Sequence, residues 1–285
     1  MKKRSKGKIV AIAILLVAAL AVNIACASLN SMITAWMGVN LNPMVTGSKA
    51  SASAEILSVA DATEQSMQMA ETLEAEGIVL LKNDNAALPL ASGTKVNLFG
   101  YGSVDPIYGG TGSGSGDTSK NVDVVKGLQN AGLVVNEELV KFYQNSGVSR
   151  PKQGGYSGSN FTPAEVPASA YTDAVLQQAK DFSDVAIVVL SRIGGEGGDL
   201  PMDMFAAGYS KTDDGRHYLE LTQDEEDLLN LVKAQGFGKV IVLINSSNAM
   251  ELGFADGVDA CVWVGSPGAV GFNAVGEVLS GTVNP

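Results

Sequence analysis

Two apolar runs, Val185 to Leu190 and Val240 to Ile244, constrain this chain most. Each is continuous rather than alternating, as in a strand with both faces buried, and such strands belong to parallel sheets sandwiched between helices. Shorter runs at Ile78 to Leu81, Val96 to Phe99, Leu133 to Val135 and Ala260 to Val264 extend the series. Helical spacing appears before and between them. Ile56, Val59, Ala60, Thr63, Met67, Ala70 and Leu73 recur on one face, and Gly77 is placed to end that helix. Further helices are expected over Val122 to Asn130, Ala170 to Ala179, Thr222 to Gln235 and Val270 to Leu279. The third opens with a capping box, Thr222 with Glu225, and is closed by Gly236. Strands alternating with helices predict an α/β fold, a three-layer αβα sandwich around a mostly parallel sheet. No internal repeat is evident.

The first thirty residues are physically separate. Lys2, Lys3, Arg4, Lys6 and Lys8 precede an apolar stretch from Ile9 to Val22 that resumes after Asn23 and runs to Leu29. A basic flank followed by such a stretch is a membrane-inserting segment. It reads either as a cleaved signal peptide, with Ala25-Cys-Ala27 as the small-x-small site, or as an uncleaved anchor. Either way the positive end stays in the cytoplasm and the rest is exported, which predicts an extracytoplasmic location, anchored or secreted. Asn23 weighs against lipidation at Cys26, since such signals want an apolar residue there. Residues 31–54 turn small and polar without sustained periodicity, as a spacer does. The organisation expected is thus 1–30 signal or anchor, 31–54 spacer, and 55–285 sandwich domain.

A formal charge of −11 and an aromatic content of 6% weigh against a nucleic-acid partner, which would repel an acidic surface and find few rings to stack on. The two cysteines, Cys26 in the export segment and Cys261 in an apolar run, make no disulfide framework. One histidine and no clustered cysteines predict no metal site, and His217 sits among charged residues where exposure is expected.

Two long loops follow strands, the usual place for chemistry in α/β sheets. One runs from Gly100 to Lys120 and is rich in glycine. It matches neither a dinucleotide fingerprint, having Ser103-Val-Asp105 where a third glycine should open a helix, nor a P-loop, since no Gly-Lys-Ser/Thr closes it. The other, Ser191 to Tyr218, presents one carboxylate, Glu196, between two glycine pairs that free the backbone to project it outward. Glu225, Glu226 and Asp227 read as first-turn helix charges rather than an acid/base pair.

Four motifs occur in order: Glu76-Gly-Ile-Val-Leu-Leu-Lys-Asn-Asp-Asn-Ala-Ala-Leu-Pro-Leu90, Gly109-Gly-Thr-Gly-Ser-Gly114, Ser191-Arg-Ile-Gly-Gly-Glu-Gly-Gly-Asp199, and Pro267-Gly with Leu279-Ser-Gly-Thr-Val-Asn-Pro285. Together they resemble the αβα sandwich domain of glycoside hydrolase family 3, the β-glucosidases and related exo-acting glycosidases, over residues 70–285. The resemblance implies a retaining hydrolase of O-glycosyl bonds in β-glucosides or related short β-linked sugars. A (β/α)8 barrel would supply the aspartate nucleophile and most of the sugar site, and this domain would lend Glu196 as acid/base. Arg192 and Asp199 match flanking positions that orient the loop or touch sugar, and Arg192 has the alternative of pairing with Asp199 or Asp203. Tyr108, Gly110 and Thr111, with the residues up to Ser113, match a loop bordering the sugar, or serve conformation alone. No cofactor is implied.

The usual order is departed from. The export segment leads straight into the sandwich, so a barrel is expected after Pro285, in the swapped arrangement, and the chain stops where relatives continue. On this reading the fragment alone lacks a nucleophile and is inactive. The alternative is a non-catalytic module for carbohydrate binding or assembly at the cell surface.

Overall fold

The computed structural model describes residues 3–30, 58–111, 118–151, 160–196 and 198–284. The spacer expected over 31–54 lies outside them, as do Ile56 of the first helical face and residues 112–117 of the first long loop. Two compact units are present, Met1–Leu57 and Ser58–Pro285. The first contains α1, Lys3–Ser28, within which Gly7–Ser28 has a mean hydropathy of 2.9. At about 1.5 Å rise per residue this stretch reaches roughly 33 Å, long and apolar enough to cross a membrane. Asn23, the polar residue interrupting it, donates its side-chain amide to the carbonyl of Ala19 one turn back.

The second unit begins with α2, Val59–Gly77, and continues β1 (Val79–Asn83), β2 (Lys95–Phe99), α3 (Val124–Asn130), β3 (Val134–Val135), α4 (Glu137–Gln144), α5 (Asp173–Phe182), β4 (Val185–Arg192), α6 (Gln223–Ala234), β5 (Lys239–Ser246), β6 (Ala260–Trp263) and α7 (Phe272–Ser280). Local chemistry sets the helix starts. Ser58 with Asp61, and Thr222 with Glu225, form capping boxes; Asp123, Asn136 and Thr172 cap α3, α4 and α5.

The strands form one sheet in the order β1-β6-β5-β4-β2-β3. β1 runs antiparallel to β6 and every other pairing is parallel. β4 and β5 are in register over eight residues, from Val185 opposite Lys239 to Arg192 opposite Ser246. Because side chains alternate along a strand, the two central strands build two cores. Ile187, Val189, Ile241 and Leu243 pack with α3 and α7, while Ala186, Val188, Leu190, Val240, Val242 and Ile244 pack with α4, α5 and α6. Each buried aliphatic side chain contributes about 1.5–3 kcal/mol, so this double burial anchors the fold. Cys261 is a buried member of the second core, as its apolar run predicts.

Two elements differ from their sequence patterns. The apolar stripe of α2 is not a core face: no residue of the helix is buried, and Val59, Met67 and Leu73 are exposed, although the helix packs against α7. α4 has no long apolar run to announce it; its signals are the Asn136 cap and Leu139, Val140 and Tyr143 at helical spacing.

Candidate functional site

The order of the sheet locates the site. After β2 the chain goes outward to β3, then crosses back to place β4 on the other side of β2. The strand order therefore reverses between β2 and β4, and a crevice opens at the carboxyl ends of strands where such a reversal occurs. The two loops that leave these two strands are the two glycine-rich loops.

They meet there. Thr111 forms a bridge with Gly195, and its N–H donates to the carbonyl of Gly194 at 3.0 Å. A Cβ on Gly195 would lie 1.9 Å from Thr111 Oγ1 and 2.5 Å from its backbone nitrogen, so only glycine allows this approach. Glu196 comes next, exposed in a turn. Gly197 lies outside the described residues, and Asp199 is exposed beyond it.

Arg192 ends elsewhere than expected. It is 1% exposed, and its guanidinium faces inward to form a two-pronged ion pair with Glu225, the capping carboxylate of α6. Its Nε donates to the carbonyl of Tyr218, Nη1 to that of Ser191 and Nη2 to that of Glu220. Five donors meet five acceptors, so the group has no N–H left for a sugar. The expected partners Asp199 and Asp203 are replaced by Glu225, and Asp203 instead accepts from the N–H of Ala206. Glu225 is thus more than a first-turn charge: one carboxylate serves the cap of α6 and the end of β4.

Tyr108 is half-buried. Its ring meets Phe272 edge-on at 5.8 Å, and its phenol is pushed up to about 12, by burial first and then by Asp123 and Asp105. Gly110 lies against the carbonyl of Gly194. The structure therefore brings Gly110, Thr111 and the Glu196 turn together and sends Arg192 into the interior.

Several groups without a sequence signal hold this arrangement. Arg150 donates to the carbonyl and carboxylate of Asp105 on the β2 loop and to Ser191 Oγ at the end of β4. Glu165 accepts from the N–H groups of Tyr101 and Val166, and burial raises its carboxyl to about 8. Asn248, after β5, donates its side-chain amide to the carbonyl of Ile193 at 3.0 Å. Only the position of Asn248 just beyond a strand's carboxyl end hinted at its involvement.

No metal set was expected, yet His217, Glu220 and Glu251 bring ligand atoms within 4.8 Å of one another. His217 Nδ1 accepts from the N–H of Leu219, and its Nε2 faces Glu251 Oε1 at 3.1 Å.

The sequence profile described as "Glycosyl hydrolase family 3 C-terminal domain" matches residues 78–285. A β-glucosidase of Ruminococcus albus is 32% identical over 224 residues, covering 77% of this chain and 22% of its own length. β-Glucosidase A of Butyrivibrio fibrisolvens is 28% identical over 241 residues, covering 79% and 28% respectively. The chain thus spans well under a third of these relatives. Among solved structures, β-glucosidase 3B of Thermotoga neapolitana in complex with α-D-glucose superposes with a TM-score of 0.64 at 31% identity, over 78% of this chain and 30% of that one.

Proposed function

Because the chain belongs to glycoside hydrolase family 3, we propose that it is the acid/base-bearing part of a retaining β-glucosidase-like enzyme, with Glu196 as the proton donor. The observation that carries this reading is an exposed carboxylate on a glycine turn, fixed by a second loop, at the reversal point of the sheet.

Retaining hydrolysis needs two carboxyl groups about 5–5.5 Å apart. One attacks the anomeric carbon and expels the aglycone oxygen. The other protonates that oxygen, then takes a proton from the water that releases the sugar. Glu196 suits the second role because it lies exposed on a loop of its own domain, accessible to a substrate held by another. A docked domain desolvates such a group, and an anionic nucleophile nearby favours its protonated form. The nucleophile is assigned to a (β/α)8 barrel outside this chain, for which the long unmatched portions of the relatives leave room. Tyr108, Gly110, Thr111 and Asp199 border the sugar, while Arg192 supports the loop from within. Glucose in the Thermotoga neapolitana structure favours a glucoside substrate. The two-carboxylate reaction requires no cofactor. An apolar helix such as α1, read as an anchor or signal, supports an extracytoplasmic location, in keeping with a 28% identical relative named a periplasmic β-glucosidase, from Salmonella typhimurium.

The test is Glu196→Gln, assayed with the nucleophile-bearing barrel in one polypeptide or supplied in trans. Glycosides with poor leaving groups should lose about 10²- to 10⁴-fold in kcat/KM, and activated aryl glycosides less than about 10-fold, because only the former need the proton. Equal losses on both would refute the role.

A further inference from the structure

Resting on the assignment of Glu196 as acid/base, we infer that Asn248 is a positioning residue for that group. Its side-chain amide fixes the stalk from which the Glu196 turn projects. Three consecutive carbonyls at the exit of β4 are each held by a different partner. Arg192 C=O accepts from the N–H of Ser247 at 3.0 Å, and Gly194 C=O accepts from the N–H of Thr111 at 3.0 Å. Between them, Ile193 C=O accepts from Asn248 Nδ2 and Tyr218 Oη, each at 3.0 Å. A carbonyl oxygen has two lone pairs, and here both are engaged. The backbone is therefore fixed up to the second residue before Glu196.

Asn248 is itself prepared for this task. Ser246, buried at the end of β5, accepts from the N–H of Asn248 at 3.1 Å and donates to its carbonyl at 2.6 Å. The side chain then lies where Gly194 has no Cβ; one built there would come within 2.5 Å of Asn248 Oδ1 and 2.7 Å of Nδ2. This explains the first glycine of the Gly-Gly-Glu sequence as the second residue of a fitted pair. Tyr218 grips the same carbonyl but is also core, whereas Asn248 is half-buried and polar, so its amide can be removed with little effect on the sandwich.

The test uses Asn248→Ala and Asn248→Asp, the second keeping the shape while losing the donor. In this chain, amide exchange of the segment 193–199 should quicken about 10-fold in both variants, while peptides from α6 and the middle of β4 stay unchanged. With the nucleophile-bearing barrel present, kcat/KM for poor leaving groups should fall about 10- to 100-fold, the scale expected of a misplaced reacting group, with activated aryl glycosides changed less than about 3-fold. A merely structural role would lower both substrates alike. Unchanged exchange, or equal losses on the two substrates, overturns the inference. If Glu196→Gln itself fails to separate the two leaving groups, the acid/base assignment falls and takes the inference with it. If Glu196→Gln separates them and the Asn248 variants do not, only the positioning role is lost.

Discussion

The buried pair of Arg192 with Glu225 joins the end of β4 to the start of α6, and Glu225→Ala measures its weight. The variant leaves a guanidinium at 1% exposure without its counter-ion, a loss of about 3–5 kcal/mol. It also removes the acceptor of the Thr222 N–H and Oγ1, undoing a capping box worth about 1 kcal/mol. The total, about 4–6 kcal/mol, is a large part of the roughly 5–15 kcal/mol that holds a typical domain. The double variant Arg192→Met/Glu225→Leu discharges both partners at once. What remains is the loss of three hydrogen bonds to the carbonyls of Ser191, Tyr218 and Glu220, about 1 kcal/mol each, together with the cap. It should therefore unfold at a higher urea concentration than Glu225→Ala alone, despite carrying one more substitution. Urea unfolding of the unit Ser58–Pro285, followed by far-UV circular dichroism, reads both. With a slope of about 2–3 kcal/mol/M, Glu225→Ala should lower the midpoint by about 2 M. A loss below about 1 kcal/mol, or a double variant costing the sum of its singles, would refute the reasoning.

Glu165 predicts a pH dependence of stability. Its folded-state carboxyl is raised by burial to about 8 from 4.5, so the folded chain binds the proton more tightly than the unfolded one. Its contribution is full below about pH 4.5 and is lost as pH rises toward 8, at up to about 1.4 kcal/mol per pH unit. Glu165→Gln should flatten that decline in urea midpoints measured between pH 5 and 8; an unaltered slope would contradict the assignment. Gly195→Ala should break the Thr111 bridge and speed exchange of the Thr111 amide. Adding Thr111→Ala should not restore it, since the clash at 2.5 Å is with the backbone nitrogen.

The centre of the sheet was legible because β4 and β5 are buried on both faces and say so in uninterrupted aliphatic residues. Thr222 and Glu225 announced α6 through a purely local rule. β1 was legible as a strand, but its burial alternates because it is an edge, and its antiparallel pairing depends on β6, some 180 residues away in the chain. The glycine loops marked the site, since the dihedrals and close approaches that chemistry requires there exclude side chains. The supports of the site could not be read. Arg192 and Glu225, Ile193 and Asn248, or Arg150 and Ser191 are pairings made by strand order, and each residue alone has a plausible neighbour closer in sequence. That is why Asp199 and Asp203 looked suitable for Arg192.

Chemical rescue tests the central claim most directly. In a retaining glycosidase without its acid/base, the glycosyl-enzyme intermediate waits for a water that nothing deprotonates, whereas azide attacks the same face without needing a base. For Glu196→Ala, assembled with its nucleophile and given an activated aryl β-glucoside, azide should restore turnover and yield the β-glucosyl azide. Absence of rescue, or formation of the α-azide, would contradict the account.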